Sequence, residues 1–135
     1  MRKVNYIVGI AAILLIVALT SIRSPERKGP PSYNAASEVT VSGVVEETRE
    51  FFCAVSDEQG THLLLRTNEG KLLVHVAPAR FLRTQQFAFN PNDQVTVVGT
   101  RVNYQGQEAM LAREITRGND VLMVRDHQGR PLWVR

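Results

Sequence analysis

The chain has 135 residues with 44% apolar and 21% charged residues, which is enough apolar content for one globular domain and excludes a disordered protein. Its single cysteine excludes an intramolecular disulfide framework and any site built from several cysteines. The formal charge of +3 comes from the N-terminal tail, because residues 1–28 carry a net charge of +4 and residues 37–135 a net charge of −1.

The first element is an apolar segment long enough to cross a membrane. The nineteen residues from Val4 to Ile22 include no charged side chain, and as a helix they would span roughly 28 Å, close to the hydrocarbon thickness of a bilayer. Arg2 and Lys3 precede the segment and favour a cytoplasmic N-terminus, although basic residues also follow it. We therefore expect a single-pass membrane anchor in residues 1–23. A cleaved signal peptide and a buried apolar helix are the alternatives.

A short linker separates this anchor from the rest of the chain. Residues 24–36 contain three prolines and no apolar period, which is typical of an extended, solvated tether. The linker would hold the following domain, residues 37–135, a short way off the bilayer.

The domain is predicted to begin with three strands. Residues 38–46 alternate between apolar and polar side chains, which predicts a strand. Residues 51–55 are apolar and fit either a strand or a packed loop. The segments 61–67 and 71–77 flank Asn68-Glu69-Gly70 and predict a hairpin, with the turn at Glu69-Gly70 and glycine supplying a positive φ.

The apolar alternation also predicts the register of this hairpin. Pairing Asn68 with Lys71 places Leu65 opposite Val74. One face of the hairpin then holds only apolar side chains: Leu63, Leu65, Leu72, Val74 and Val76. The opposite face holds a mixed set: His62, Leu64, Arg66, Leu73 and His75. A slip of one residue would mix the two sets, so the pattern favours this register.

The second half of the domain is predicted to contain one helix and further strands. Pro78 begins a helical stretch that extends to Gln86, since proline is tolerated in the first turn of a helix. Strands are predicted over residues 94–102 and 108–115. The last residues, 121–125 and 131–134, predict a terminal hairpin.

This order of elements predicts an all-β domain with one short helix. A helix between the third and fourth of five strands is the order of an OB-fold, so we expect a small OB-fold-like five-stranded barrel with an added C-terminal hairpin. Gly43 and Gly99 lie inside strands, where a closed barrel needs bends or bulges. A β-sandwich is the main alternative, but it does not account for the single helix at that position.

Two histidines are the candidate metal ligands. In the predicted register His62 is opposite Ala77 and His75 is opposite Leu64, so the histidines are diagonal neighbours on an exposed face, close enough to share a metal ion. Two imidazoles make a weak site, and the sequence offers no third ligand. Half-exposed strand histidines without a ligand are the simpler interpretation, and Cys53 is interpreted as an apolar filler. We therefore expect no cofactor.

The same outer face is the predicted ligand-binding surface, because OB-folds commonly bind ligands on their second and third strands. Its members are His62, Leu64, Arg66, Leu73 and His75. Their mixed apolar and polar character suits a protein partner better than nucleic acid, which would require more cations and aromatic stacking. No serine after the linker lies in a nucleophile elbow and no glycine-rich phosphate loop is present, so we expect no catalytic residues and no enzyme.

Several segments of the domain resemble small exported bacterial OB-like domains, in particular those of magnetosome proteins of the MamS/MamX type. The segments are residues 61–67, 70–78, 81–82, 92–99, 112–115, 125–126 and 129–133. The resemblance covers residues 38–134 and is carried by turns and core strands. A single anchor followed by one such domain is more similar to the MamS type, because the MamX type carries c-type haem motifs and this chain has no Cys-x-x-Cys-His.

The resemblance implies a membrane-associated accessory protein of magnetite crystal formation. We accordingly expect a non-enzymatic, single-pass protein of the inner or magnetosome membrane, with its domain on the extracytoplasmic or lumenal side. A protein partner and iron are the candidate ligands, and nucleic acid is disfavoured. The alternative is a periplasmic OB-fold module that binds an oligosaccharide, a peptide or nucleic acid.

Overall fold

A computed structural model of the chain describes residues 29–134. The predicted anchor in residues 1–23, and the linker up to residue 28, lie outside the described residues. Across residues 29–134, none of the helices has the length and apolar character needed to cross a bilayer.

The described residues are mostly β-strand with one short α-helix, as the sequence predicts. The elements are β1 (Glu38–Cys53), β2 (Glu58–Thr67), β3 (Gly70–Pro78), α1 (Ala79–Thr84), β4 (Gln94–Tyr104), β5 (Gln107–Arg117) and β6 (Asp120–Met123). A 3-10 turn at Ala35–Ser37 precedes β1. The 16-residue strand β1 includes residues 51–53, so this ambiguous segment begins as strand.

Five of the strands form a closed sheet. Their pairing order is β3-β2-β1-β4-β5, and β3 returns to pair in parallel with β5 through Leu73–His75 and Ala109–Leu111. Strand β4 pairs along one edge of β5. On the other edge, β3 pairs with residues 109–111 of β5 and β6 pairs with residues 114–117. Helix α1 lies between β3 and β4 in the chain, at the position the sequence predicts.

The predicted C-terminal hairpin forms only beside its turn, because the first part of its first segment pairs elsewhere. Residues 121–123 belong to β6, which pairs antiparallel with β5 from Arg117↔Asp120 to Glu114↔Met123. At the predicted turn, Arg125 and Pro131 form an isolated antiparallel bridge. The Asp126 amide donates to the Arg130 carbonyl at 2.9 Å, and the Leu132 amide donates to the Val124 carbonyl at 3.0 Å. The edge of β5 beyond β3 is open for pairing, and the short Gly118-Asn119 turn brings β6 directly onto it.

Gly99 allows β4 to approach β5 closely enough for the sheet to close. The β4–β5 register shifts between Val98 and Gly99, which marks a β-bulge. A Cβ atom at Gly99 would overlap the Leu111 carbonyl oxygen and lie 3.0 Å from the Leu111 carbonyl carbon. A glycine is therefore required at this bulge, as expected for a bend in a small closed sheet.

The hairpin of β2 and β3 keeps the predicted faces but has a different register. Leu65 pairs with Leu72 and Leu63 pairs with Val74, two residues away from the predicted partners. The turn residues are Asn68 and Glu69, and the positive φ of 110° falls on Gly70 after the turn. The Thr67 hydroxyl stabilises this turn by donating to the Gly70 carbonyl at 2.7 Å and accepting from the Glu69 amide at 3.2 Å. Because side chains alternate with period two, a shift of two residues leaves every side chain on its predicted face.

The apolar face of this hairpin forms the core, as predicted. Leu63, Leu65 and Val74 are fully buried, and Leu72 and Val76 nearly so. They pack against buried residues of the other strands, against Leu82 of α1, and against Trp133 near the C-terminus. This core holds the ends of β1, β2 and β3 in fixed positions relative to one another.

The chain before β1 packs on the sheet. The Tyr33 hydroxyl donates to the Glu38 carboxylate at 2.6 Å, and Glu38 pairs with the Arg113 guanidinium at 2.6 Å. The Asn34 carbonyl accepts from the Thr100 hydroxyl at 2.7 Å. These contacts join the end of the predicted linker to β4 and β5.

Candidate functional site

The side chains of Cys53, His62 and His75 converge at one end of the closed sheet. Cys53 is the last residue of β1, while His62 and His75 lie opposite each other on β2 and β3. The predicted diagonal arrangement of the histidines is therefore wrong, since Thr61 and not His62 pairs with Ala77, and Leu73 and not His75 pairs with Leu64. The register shift brings the two imidazoles into direct contact.

Short distances connect the donor atoms of this cluster. His62 Nε2 lies 3.0 Å from His75 Nδ1, and Cys53 Sγ lies 3.2 Å from the same His75 nitrogen. All three atoms lie within 4.8 Å of one another. We call these three residues the Cys–His cluster.

Hydrogen bonding identifies the tautomers of the two neutral histidines. His62 Nδ1 lies 3.1 Å from the Gly60 carbonyl oxygen, which can only accept, so Nδ1 carries the hydrogen. The lone pair of His62 Nε2 then faces His75, whose Nδ1 must donate to it. This leaves His75 Nε2 without a hydrogen, and among the described residues this buried nitrogen has no partner.

The cluster is buried, which contradicts the predicted exposed face for its histidines. His62 is 0% exposed and His75 6% exposed. Phe51 of β1 stacks on the His62 ring at a centroid distance of 3.7 Å, and Tyr104 of β4 contacts the His75 ring edge-on at 5.6 Å. The extra length of β1 and β4 therefore covers the part of the outer face that the sequence leaves open.

Gly60 gives the cluster its close packing. A Cβ atom at this position would lie 3.0 Å from the Cβ of Cys53 and 3.2 Å from Cε1 of His62, both tighter than ordinary contacts. A glycine here lets the end of β1 lie against β2 while its carbonyl oxygen still orients His62.

Arg125 brings a positive charge to the same cavity. This cavity of about 10 Å³ is bounded by the Cys–His cluster together with Arg125 and Trp133. The guanidinium donates to the Gly129 carbonyl at 2.9 Å and lies over the Tyr33 and Trp133 rings. Its buried Nε has no hydrogen-bond partner within residues 29–134.

Burial keeps both histidines neutral near pH 7. Desolvation, followed by the charge of His75, lowers the pKa of His62 to about 4, and desolvation lowers the pKa of His75 as well. Neutral imidazoles keep a lone pair that can accept a hydrogen bond or bind a metal ion.

The remaining residues of the predicted ligand face do not belong to the cluster. Leu64 and Leu73 pair with each other and are half-buried. Arg66 lies toward the far end of β2, where its guanidinium is 3.7 Å from the Glu46 carboxylate. The structure thus brings His62 and His75 together and separates Arg66 from them.

Cys53 is the residue that sequence reasoning missed. It was interpreted as an apolar filler, and it is indeed buried, but its sulfur contacts an imidazole nitrogen. Extending the first strand to residue 53, with a turn over residues 54–57, would have placed Cys53, Phe51 and His62 on one face.

The buried histidines predict that stability falls in mild acid. The unfolded chain protonates His62 near pH 6.5 and the folded chain only near pH 4, so between these values the unfolded state binds more protons. The stabilisation is complete above pH 6.5 and is lost as the pH falls toward 4. We expect the free energy of unfolding to drop by about 2 kcal/mol between pH 7.5 and 5.0.

Urea unfolding followed by the fluorescence of Trp133, the one tryptophan of the chain, measures this change. The His62→Gln/His75→Gln double variant should lose the pH dependence, and His127→Gln, at an exposed position, should retain it. Equal stability of the wild-type chain at pH 7.5 and 5.0 would contradict the assignment of neutral buried histidines.

Comparison with known proteins identifies a family for the closed sheet. Among curated proteins none matches the chain. The sequence profile of the MamS/MamX magnetosome protein family matches residues 37–122, a range that begins one residue before β1 and ends within β6. The match covers more than half of the 135 residues and agrees with the resemblance carried by the turns and core strands. The chain therefore belongs to the MamS/MamX magnetosome protein family.

Proposed function

We propose that this chain is a non-enzymatic accessory protein of the magnetosome that assists the growth of magnetite crystals. The observation that carries the proposal is the family match over residues 37–122, which includes all five strands of the closed sheet. The matched part is therefore the folded domain itself, not the N-terminal apolar segment.

The burial of the Cys–His cluster supports a role other than catalysis. Cys53 is the one thiol of the chain and is 5% exposed. The cavity next to it, at about 10 Å³, has room for about one water molecule. A cysteine nucleophile needs access for its substrate, and a cavity of this size does not provide it.

The proposed position of the protein rests on its N-terminal sequence. The charge-free run from Val4 to Ile22 would anchor the chain in the inner or magnetosome membrane, and Arg2 and Lys3 favour a cytoplasmic N-terminus. The domain would then lie on the extracytoplasmic or lumenal side. The strand order of the closed sheet, with α1 between β3 and β4, supports an OB-fold-like barrel.

A second candidate function is a periplasmic binding module for an oligosaccharide or a peptide. A polar surface depression favours it, at the end of β2 opposite to the Cys–His cluster. The depression is lined mainly by polar residues, among them Ser42, Arg66, Thr67, Asn68, Gln94, Thr96 and Thr116. Glu46 pairs with Arg66 and Lys71 beside it, which reduces the positive charge available to a phosphate backbone.

Deletion of the gene in its host tests the proposed magnetosome function. We expect the deletion strain to form magnetite crystals of altered size or shape, as measured by electron microscopy. Expression of the full chain should restore the wild-type crystals, whereas residues 24–135 alone, which lack the predicted anchor, should not. Crystals of wild-type number, size and shape in the deletion strain would contradict the proposal and favour the binding module.

A further inference from the structure

We propose that the Cys–His cluster binds one divalent transition-metal ion through Cys53 Sγ, His62 Nε2 and His75 Nδ1. The proposal rests on the geometry of these three side chains and does not depend on the proposed magnetosome function. The sequence suggested the two histidines but gave no third ligand, and the structure supplies it as the cysteine at the end of β1.

Two of the three donor pairs have a spacing close to that around a tetrahedral ion. With metal–nitrogen bonds of about 2.0 Å and metal–sulfur bonds of about 2.3 Å, tetrahedral ligands lie about 3.3 Å apart for two nitrogens and about 3.6 Å apart for nitrogen and sulfur. The corresponding distances in the cluster are 3.0 Å and 3.2 Å. Around an ion these two pairs would separate by a few tenths of an ångström. The third pair, His62 Nε2 and Cys53 Sγ, lies within 4.8 Å and would have to reach the nitrogen–sulfur spacing of about 3.6 Å.

His62 is already oriented as a ligand. Metal-binding histidines usually donate their second ring N–H to a carbonyl or carboxylate, which fixes the ring and directs the other nitrogen at the ion. The hydrogen bond from His62 Nδ1 to the Gly60 carbonyl provides this arrangement. Phe51, stacked on the His62 ring, further restricts its rotation.

His75 contributes its Nδ1, which lies close to both of the other donor atoms. The residue is 6% exposed, and its Nε2 has no partner in the described part of the chain. Its single hydrogen is held at Nδ1, between two other electron-pair donors. Metal binding would move this proton from Nδ1 to Nε2 and release the Cys53 thiol proton to solvent, so that all three lone pairs bind the ion.

The small cavity beside Arg125 is lined by all three residues of the cluster, so a fourth ligand would lie there. Its volume of about 10 Å³ suits one water molecule or a monatomic ligand. A divalent ion bound to one thiolate keeps one positive charge, and the buried Arg125 guanidinium adds another. This combination favours an anionic fourth ligand such as hydroxide or chloride.

The donor set determines the class of metal. One thiolate and two imidazoles suit Zn²⁺, Co²⁺ and the neighbouring divalent transition metals, whereas Mg²⁺ and Ca²⁺ require oxygen ligands. Cobalt is the most informative probe, because its thiolate complexes have a ligand-to-metal charge-transfer absorption in the near ultraviolet. In a chain with one cysteine, this absorption reports Cys53 alone.

The test is a cobalt titration of the full chain, purified in non-ionic detergent, stripped with a chelator and kept reduced. We expect the charge-transfer band to saturate at one Co²⁺ per chain, to disappear when Zn²⁺ displaces cobalt, and to be unaffected by excess Mg²⁺. The band in the wild-type chain tests thiolate ligation without any substitution.

Matched variants test the two histidines. His62→Gln and His75→Gln should each weaken Zn²⁺ binding by more than the roughly 10- to 100-fold lost when only an outer hydrogen-bond partner is removed. His127→Gln replaces an exposed histidine outside the cluster and should bind like the wild-type chain. Trp133 fluorescence identifies variants that remain folded.

Two results would overturn the proposal. In the first, the wild-type chain shows neither the cobalt band nor stoichiometric Zn²⁺ binding. The three side chains would then only pack and form hydrogen bonds with one another. Zn²⁺ binding of unchanged affinity in a folded His62→Gln/His75→Gln double variant would place the metal elsewhere. Neither result would alter the crystal phenotype expected of the gene deletion, so the two proposals fail separately.

Discussion

Replacing Leu65 with alanine is expected to lower the free energy of unfolding by about 3–4 kcal/mol, because the substitution leaves a cavity in the core. Leu65 is 0% exposed, belongs to the cluster of buried apolar side chains, and pairs with Leu72 across the hairpin. Val74→Ala, at an equally buried position with a smaller side chain, should cost about 2 kcal/mol.

Leu73 is the matched control for this prediction. It lies on the opposite face of the same hairpin and is half-buried, so Leu73→Ala should cost less than about 1.5 kcal/mol. Urea unfolding followed by Trp133 fluorescence gives the three values under the same conditions. A larger loss for Leu73→Ala than for Leu65→Ala would mean that the two faces of the hairpin are exchanged.

The division of this hairpin into two faces could be predicted because its physical cause is local. Side chains in a strand alternate between faces, so the apolar set of Leu63, Leu65 and Val74 had to share one side. The register could not be obtained in the same way, since any shift by two residues preserves the faces. The turn decided it, because Thr67 binds the Gly70 carbonyl and places the turn one residue earlier than predicted.

The exposure of the histidines depends on contacts between segments distant in the chain. Nothing near His62 or His75 in the sequence shows that Phe51 stacks on one ring and Tyr104 contacts the other. The same long-range packing brings Cys53 against His75, 22 residues later. The sequence could thus identify two of the three cluster residues, while their burial and the third donor required the closed sheet.

The terminal segment shows the same limit. Residues 131–134 have a strand-like composition, yet only Pro131 makes a bridge, and Trp133 instead packs into the core. The free edge of β5 is a stronger partner for residues 120–123 than the chain's own terminus, because four consecutive pairs form along it. Periodicity identifies a segment that is able to form a strand but not the edge that it joins.

The pairing of β4 with β5 at the bulge requires a glycine at position 99. We expect Gly99→Ala to lower the free energy of unfolding by about 3 kcal/mol or more. The added methyl group would overlap the Leu111 carbonyl oxygen and lie 3.1 Å from the Cα of Ala112. Both are backbone atoms, so no rotamer change relieves the overlap, and β4 must move away from β5 where their pairing shifts.

Gly29→Ala is the control for the Gly99 substitution, since a Cβ atom at Gly29 meets no atom within 4 Å and should change stability by less than about 0.5 kcal/mol. The two variants are compared by urea unfolding. A Gly99→Ala chain that does not fold at all would agree with the predicted loss of stability. The same variant should also lose the wild-type cobalt spectrum, because displacement of β5 disturbs its parallel pairing with His75 of β3. A Gly99→Ala chain with wild-type stability would show that the two strands can separate at little cost, and the requirement for glycine at the bulge would be wrong.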